Sequence, residues 1–204
     1  MKRTLWKLLL LIGTLVVWTG CAEEGPTETP GPTYAQLVNN GWLEYFTNNN
    51  YLEAVGFLED AKALDPDAAA AYTALGWIHM KKDSLSKANV EFTDGSGKAD
   101  ATADLYAGWA FLLNALKSYS SSNSQANQAL TLDAAWSFVF ITNLNSDDLR
   151  ILKAMNYYAL GNFAQSLVEV QSINPSFNSL DPALLAAEIE RLKGVESLEK
   201  ILSW

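Results

Sequence analysis

The sequence predicts an all-α fold: a short stack of about four antiparallel helical hairpins, closed by one further helix at the C-terminal end. Three observations point there. The dipeptide Gly-Trp recurs at 41–42, 76–77 and 108–109, at intervals of 35 and 32 residues, and self-similarity at a period of roughly 20–50 residues marks an array of small helical or strand-based units. Small and large apolar residues recur at helical spacing, as in Ala54, Leu58 and Ala61, which lets two helices cross closely. Strand signals are almost absent from the 204 residues.

Residues 1–20 read as a targeting segment. Lys2, Arg3 and Lys7 precede the apolar run LLLLIGTLVVW at 8–18. That run is shorter than the roughly 20 apolar residues of a membrane span and has the length of a secretory signal core. The stretch VVWTGC at 16–21 resembles the lipobox of bacterial lipoproteins, with Trp18 in place of the usual Leu. The resemblance implies lipid on Cys21, the single cysteine, which has no partner for an internal disulfide. Acyl chains contribute about 0.8 kcal/mol per buried methylene, so two or three of them hold a domain on a membrane. Residues 22–33, AEEGPTETPGPT, carry no bulky apolar side chain and read as a flexible tether. Ala22, instead of Asp, follows the cysteine, which implies the outer membrane, with the domain facing the periplasm.

The chain holds 14 Lys and Arg against 23 Asp and Glu, a formal charge of −9. Without Lys2, Arg3 and Lys7 it becomes −12. A surface so acidic repels nucleic acid, whose binding requires Lys and Arg on phosphates. Protein or peptide partners remain.

Residues 34–204 form one domain. The first unit, about 34–66, contains NNNYLEAVGFLEDAKALDP at 48–66, with Ala54 small, Leu58 large, Ala61 small and Asp65-Pro66 ending the helix. The second, about 69–100, contains YTALGWIH at 72–79, then Ala88 and Phe92. These stretches resemble the tetratricopeptide repeat: Tyr72, Leu75 and Gly76 meet its first-helix pattern, His79 stands where it has Tyr, and Ala88 with Phe92 meets its second-helix pattern. The third unit spans about 101–136, the segment 137–146 is irregular or a short extra element, and the fourth unit spans about 146–177, with Ala154, Tyr157, Gly161 and Phe163 near repeat positions. Asp181-Pro182 opens a final helix, 181–203, apolar at Leu185, Ile189, Leu192, Val195 and Leu198. It is expected to cap the stack. The resemblance implies a right-handed solenoid in which Gly41, Gly76, Gly108, Ala54 and Ala88 mark close helix crossings while Leu75 and Phe92 fill the space beside them.

Catalytic chemistry finds little support. His79 is the only histidine, placed where the repeat uses a packing Tyr, and it reads as a packing residue. The loop DGSGKADATAD at 94–104 has neither the acidic ladder of a calcium loop nor the spacing of a phosphate loop. No cofactor and no metal are expected. Tetratricopeptide arrays are similar in lining a groove with the first helices of their repeats. In that register Trp42, Tyr45, Trp77, Met80, Trp109 and Leu112 become the groove residues that grip a protein or peptide partner. The alternative for the three tryptophans is core packing. The expected function is a non-catalytic, lipid-anchored scaffold of the bacterial cell envelope, in the role of an outer-membrane assembly factor. The alternative is a glycan or small-ligand binder with an aromatic groove. The sequence leaves the oligomeric state open.

Overall fold

The computed structural model describes residues 31–195; the expected signal, Cys21, most of the expected tether and the expected end of the final helix, with Leu198, lie outside the described residues. Among the described residues there are nine α-helices and one isolated β-bridge. They are α1 (Tyr34–Phe46), α2 (Tyr51–Leu64), α3 (Ala69–Lys81), α4 (Leu85–Ser96), α5 (Ala103–Ala115), α6 (Tyr119–Leu132), α7 (Ser146–Ala159), α8 (Phe163–Ile173) and α9 (Pro182–Val195). No helix among them is long and apolar enough to cross a membrane.

Local chemistry sets the helix ends. The Thr33 hydroxyl accepts from the Gln36 N–H, and the Gln36 side chain accepts from the Thr33 N–H, a reciprocal cap that starts α1 where the tether stops. Each hairpin turns through one residue with positive φ: Asn49, Asp83, Lys117 and Gly161. The residue after each donates its N–H back into the first helix, Asn50 to Glu44 O across six positions, and Ser84 to His79 O, Ser118 to Leu113 O and Asn162 to Tyr157 O across five, at 2.8–2.9 Å. These turn residues stand 34, 34 and 44 residues apart. The repeat is therefore 34 residues long, and ten additional residues enter between α6 and α7.

The helices pair as α1–α2, α3–α4, α5–α6 and α7–α8, and α9 packs on α7 and α8. The first helices of neighbouring hairpins also pack directly on one another, α1 on α3, α3 on α5 and α5 on α7. They form the inner row of the stack. The buried positions Ala54, Ala88, Ser122 and Ser166 recur at the repeat interval on the second helices. Where serine replaces alanine, its hydroxyl donates across the crossing, Ser122 to Ala110 O at 2.7 Å and Ser166 to Ala154 O at 2.8 Å, so no buried hydroxyl is stranded. Asn156 ties the third hairpin to the fourth: its amide donates to Ser122 Oγ and Asn123 Oδ1 and its carbonyl accepts from Asn114.

Three glycines set how closely helices approach. A Cβ on Gly41 would lie 2.5 Å from Leu58 Cγ, and one on Gly76 would lie 2.5 Å from Phe92 Cε1. Gly108 differs, for its Cβ would meet Phe92 at 2.6 Å and the Trp77 indole at 2.7 Å, both belonging to the preceding hairpin. Gly41 and Gly76 therefore serve crossings within a hairpin and Gly108 a crossing between hairpins. Gly108→Ala is expected to lose about 1–3 kcal/mol through overpacking. Gly56→Ala, on the exposed face of α2 with nothing within 4 Å of a new Cβ, is expected to gain about 0.5–1 kcal/mol. Urea unfolding of both variants checks the contrast.

Candidate peptide groove

The ten additional residues lie along the inner row. After α6, Asp133 and its neighbours turn the chain, and residues 136–146 form a small self-closed hairpin. Phe138 N–H donates to Leu144 O and Ser146 N–H to Trp136 O, each at 2.8 Å, with Ser137 bridging Asn145 in antiparallel fashion. Asn143 takes the positive φ of 63° that the turn requires. Ile141 N–H closes a turn on Phe138 O, so Val139 and Phe140 lie at a bend, and burial alternates along 136–140. Trp136 and Phe138 are buried and Phe140 is half-buried, while Ser137 is exposed and Val139 is 82% exposed.

The inward rings meet the rings of the first helices. Phe138 lies flat on Trp77, with centroids 4.3 Å apart and planes 15° apart, and stands edge-on to Trp42 at 5.7 Å. Phe140 stacks on Trp42 at 4.5 Å and on Phe46 at 5.4 Å. Such pairs contribute about 0.5–1.5 kcal/mol each beyond the area they bury. Asp104, in the first turn of α5, holds two indoles at once: its carboxylate accepts from Trp136 Nε1 at 2.6 Å and its backbone carbonyl accepts from Trp77 Nε1 at 2.9 Å. Burial raises the pKa of this carboxyl, and the Trp136 hydrogen bond opposes the rise. Beside the hairpin, Asp104, Asp133, Leu132 and Trp136 line a cleft of about 470 Å³.

The expected groove residues divide accordingly. Trp77, Met80 and Leu112 are fully buried, and Trp42 is 8% exposed; none of the four offers an open face, because core contacts and the inserted rings cover them. Tyr45 is half-buried, edge-on to Phe46. Trp109 is half-buried and points to the outer row, donating to Asn89 Oδ1 on α4 at 3.0 Å. The three indoles are thus not one ladder. Their glycines stand 8, 7 and 9 residues before the turn residues Asn49, Asp83 and Lys117, and each step of one residue rotates a helical side chain by about 100°. A sugar-binding platform needs bare aromatic faces, and Phe138 and Phe140 cover those of Trp77 and Trp42. The residues the sequence reading missed as site residues, Trp136, Phe138 and Phe140, carried a signal: three aromatics at alternate positions in a segment without helical periodicity.

His79 is buried, and its Nδ1 shares a hydrogen bond of 3.1 Å with the Tyr51 hydroxyl. It lies at the base of an outer groove of about 450 Å³ between α2 and α4, rimmed by Leu52, Val55, Lys87 and Val90. Among the described residues no three His, Cys, Asp or Glu side chains converge.

Comparison with solved structures places the architecture. The chain is similar to YrrB, described as a TPR protein with an unusual peptide-binding site, with a TM-score of 0.60 and 18% identity, over 78% of this chain and 76% of that one. It is similar to Pseudomonas aeruginosa pilF, with a TM-score of 0.59 and 17% identity, over 78% of this chain and 67% of that one. Against the Cut9–Hcn1 hetero-tetramer of the APC/C the TM-score is 0.57 at 16% identity, over 79% of this chain but only 30% of the matching one. The fold is a tetratricopeptide-type helical solenoid. No protein-family model and no curated protein matches the sequence.

Burial, and next to it the charge of Lys87, lower the His79 pKa below the ordinary 6.5. Above 6.5 both folded and unfolded chains hold neutral histidine; below it the unfolded chain takes up the proton first, so stability is lost as pH falls from 6.5 toward the depressed folded value. Urea midpoints measured across that interval are expected to fall for the wild type, and His79→Gln removes this part of the fall.

Proposed function

We propose that the chain is a non-catalytic scaffold of the bacterial cell envelope, held by lipid on Cys21, whose helical-repeat domain binds a protein or peptide partner. The observation that carries the binding half is the inserted segment Trp136–Phe140 itself, whose alternate aromatic side chains are seated on the inner row of first helices while its path turns at Val139 and Phe140. The row thus already receives the aromatic side chains of a polypeptide segment. Extended segments bind by filling pockets with every second side chain, and buried aromatic anchors dominate such interfaces.

Support for the envelope half comes from the sequence: the basic start, the short apolar run, the VVWTGC stretch and the tether of residues 22–33. Two acyl anchors suffice for stable membrane residence. Ala22 supports the outer membrane, with the domain in the periplasm and a part in envelope assembly. The acidic balance of 23 Asp and Glu against 14 Lys and Arg favours partners other than nucleic acid or bare anionic membrane.

Photo-crosslinking side chains placed at Val139 and Thr142, on the groove side, and at Leu52 and Val90, on the outer groove, test the reading in cells. Adducts with a partner are expected from the first pair. Adducts from the second pair alone would move the binding surface to α2 and α4. Fractionation of the same cells is expected to find the wild type with membranes and Cys21→Ser released or unprocessed; identical partitioning of the two contradicts the anchor.

A further inference from the structure

The inner row already holds a guest, and the guest is a piece of the same chain. Three facts describe its attachment. The repeat closes without it, because the turn residues keep a 34-residue interval until the ten additional residues enter before Gly161. Its backbone hydrogen bonds close on itself, between Phe138 and Leu144 and between Ser146 and Trp136. Its hold on the helices is by side chains: Phe138 on Trp77, Phe140 on Trp42 and Phe46, the indole bond from Trp136 to Asp104, and Leu144 buried in the same core.

We propose that residues 136–144 are an exchangeable internal occupant, and that the groove takes from a partner protein a segment with aromatic side chains at alternate positions. That segment replaces Phe138 and Phe140 on the faces of Trp77 and Trp42. The proposal rests on the scaffold reading above and names its ligand. The chemistry of the ligand follows from the guest in place. Alternation is set by the segment in place, in which Trp136, Phe138 and Phe140 are covered while Ser137 and Val139 are exposed. Aromatic character is set by the receiving surfaces, the ring faces of Trp42, Trp77 and Phe46, which stack with flat rings and give a charged group nothing in exchange for its water. The tether sets the affinity. An occupant linked at both ends competes at an effective concentration in roughly the millimolar range, so a free segment binds weakly until the internal rings are displaced or removed.

The test uses the full chain and a fluorescent peptide with the sequence of residues 133–145, beside a control peptide carrying serine in place of both phenylalanines. Fluorescence anisotropy is expected to show the Phe138→Ser/Phe140→Ser chain binding the peptide at least about tenfold tighter than wild type, since the tethered competitor has lost its rings. Phe140→Ser alone, which removes a half-buried ring and leaves Phe138 in place, is expected to bind with intermediate strength, and the control peptide to bind none of the three. A doubly substituted chain with wild-type circular dichroism that binds no tighter overturns the proposal. Should the double variant fail to fold, equal binding by Phe140→Ser and wild type overturns it. A wild-type dimer that the peptide dissociates also overturns it, by making a second copy the occupant. Peptide failure combined with crosslinks from Val139 and Thr142 rejects exchange and leaves the scaffold reading standing; crosslinks from Leu52 and Val90 alone reject the scaffold's groove whatever the peptide does.

Discussion

Phe138 lies between Trp77, which it covers at 4.3 Å, and Trp42, which it meets edge-on at 5.7 Å, and this one ring joins α1, α3 and the inserted hairpin. A row of first helices carrying two indoles would otherwise present a broad apolar face to water, and exposed patches of that kind invite association. Burying a phenylalanine contributes about 1.5–3 kcal/mol, more than an ion pair open to solvent contributes. The inner face is held by aromatic stacking, and the outer face by the ordinary exchange of polar groups with water.

Polar contacts act both within and between hairpins. Lys153 and Glu169 pair at 2.6 Å with both side chains about nine-tenths buried, linking α7 to α8, and removing one partner would strand the other charge. Asp104 does a different job, since it fastens Trp77 of one hairpin and Trp136 of the insertion through two oxygens of one residue. Through it the position of the inserted strand is coupled to the start of α5.

The fold class was legible because hairpin packing repeats its demands: a small residue facing a large one at Gly41 and Leu58, and again at Gly76 and Phe92, with a capping helix whose Leu185, Ile189 and Leu192 are buried at helical spacing. The true interval was harder to read. The Gly-Trp pairs suggested 35 and 32, whereas the turn residues give 34; Asn49, Asp83 and Lys117 share no side-chain chemistry, because the turn constrains backbone and not residue type. The direction of each indole was illegible for the same reason, as a shift of one residue turns it about 100°. The inserted strand escaped because its partners are long-range: nothing local in WSFVF tells Phe138 that Trp77, sixty-one positions earlier, supplies its face.

The central claim is that the groove of first helices is occupied by the chain's own inserted hairpin. Nuclear Overhauser contacts in the isotopically labelled protein measure this directly. The structure requires contacts from the Phe138 ring to the Trp77 indole and from the Phe140 ring to the Trp42 indole, with the Trp136 Nε1 proton protected from exchange. Trp42 and Trp77 without contacts to either phenylalanine, together with a rapidly exchanging Trp136 Nε1 proton, would contradict it.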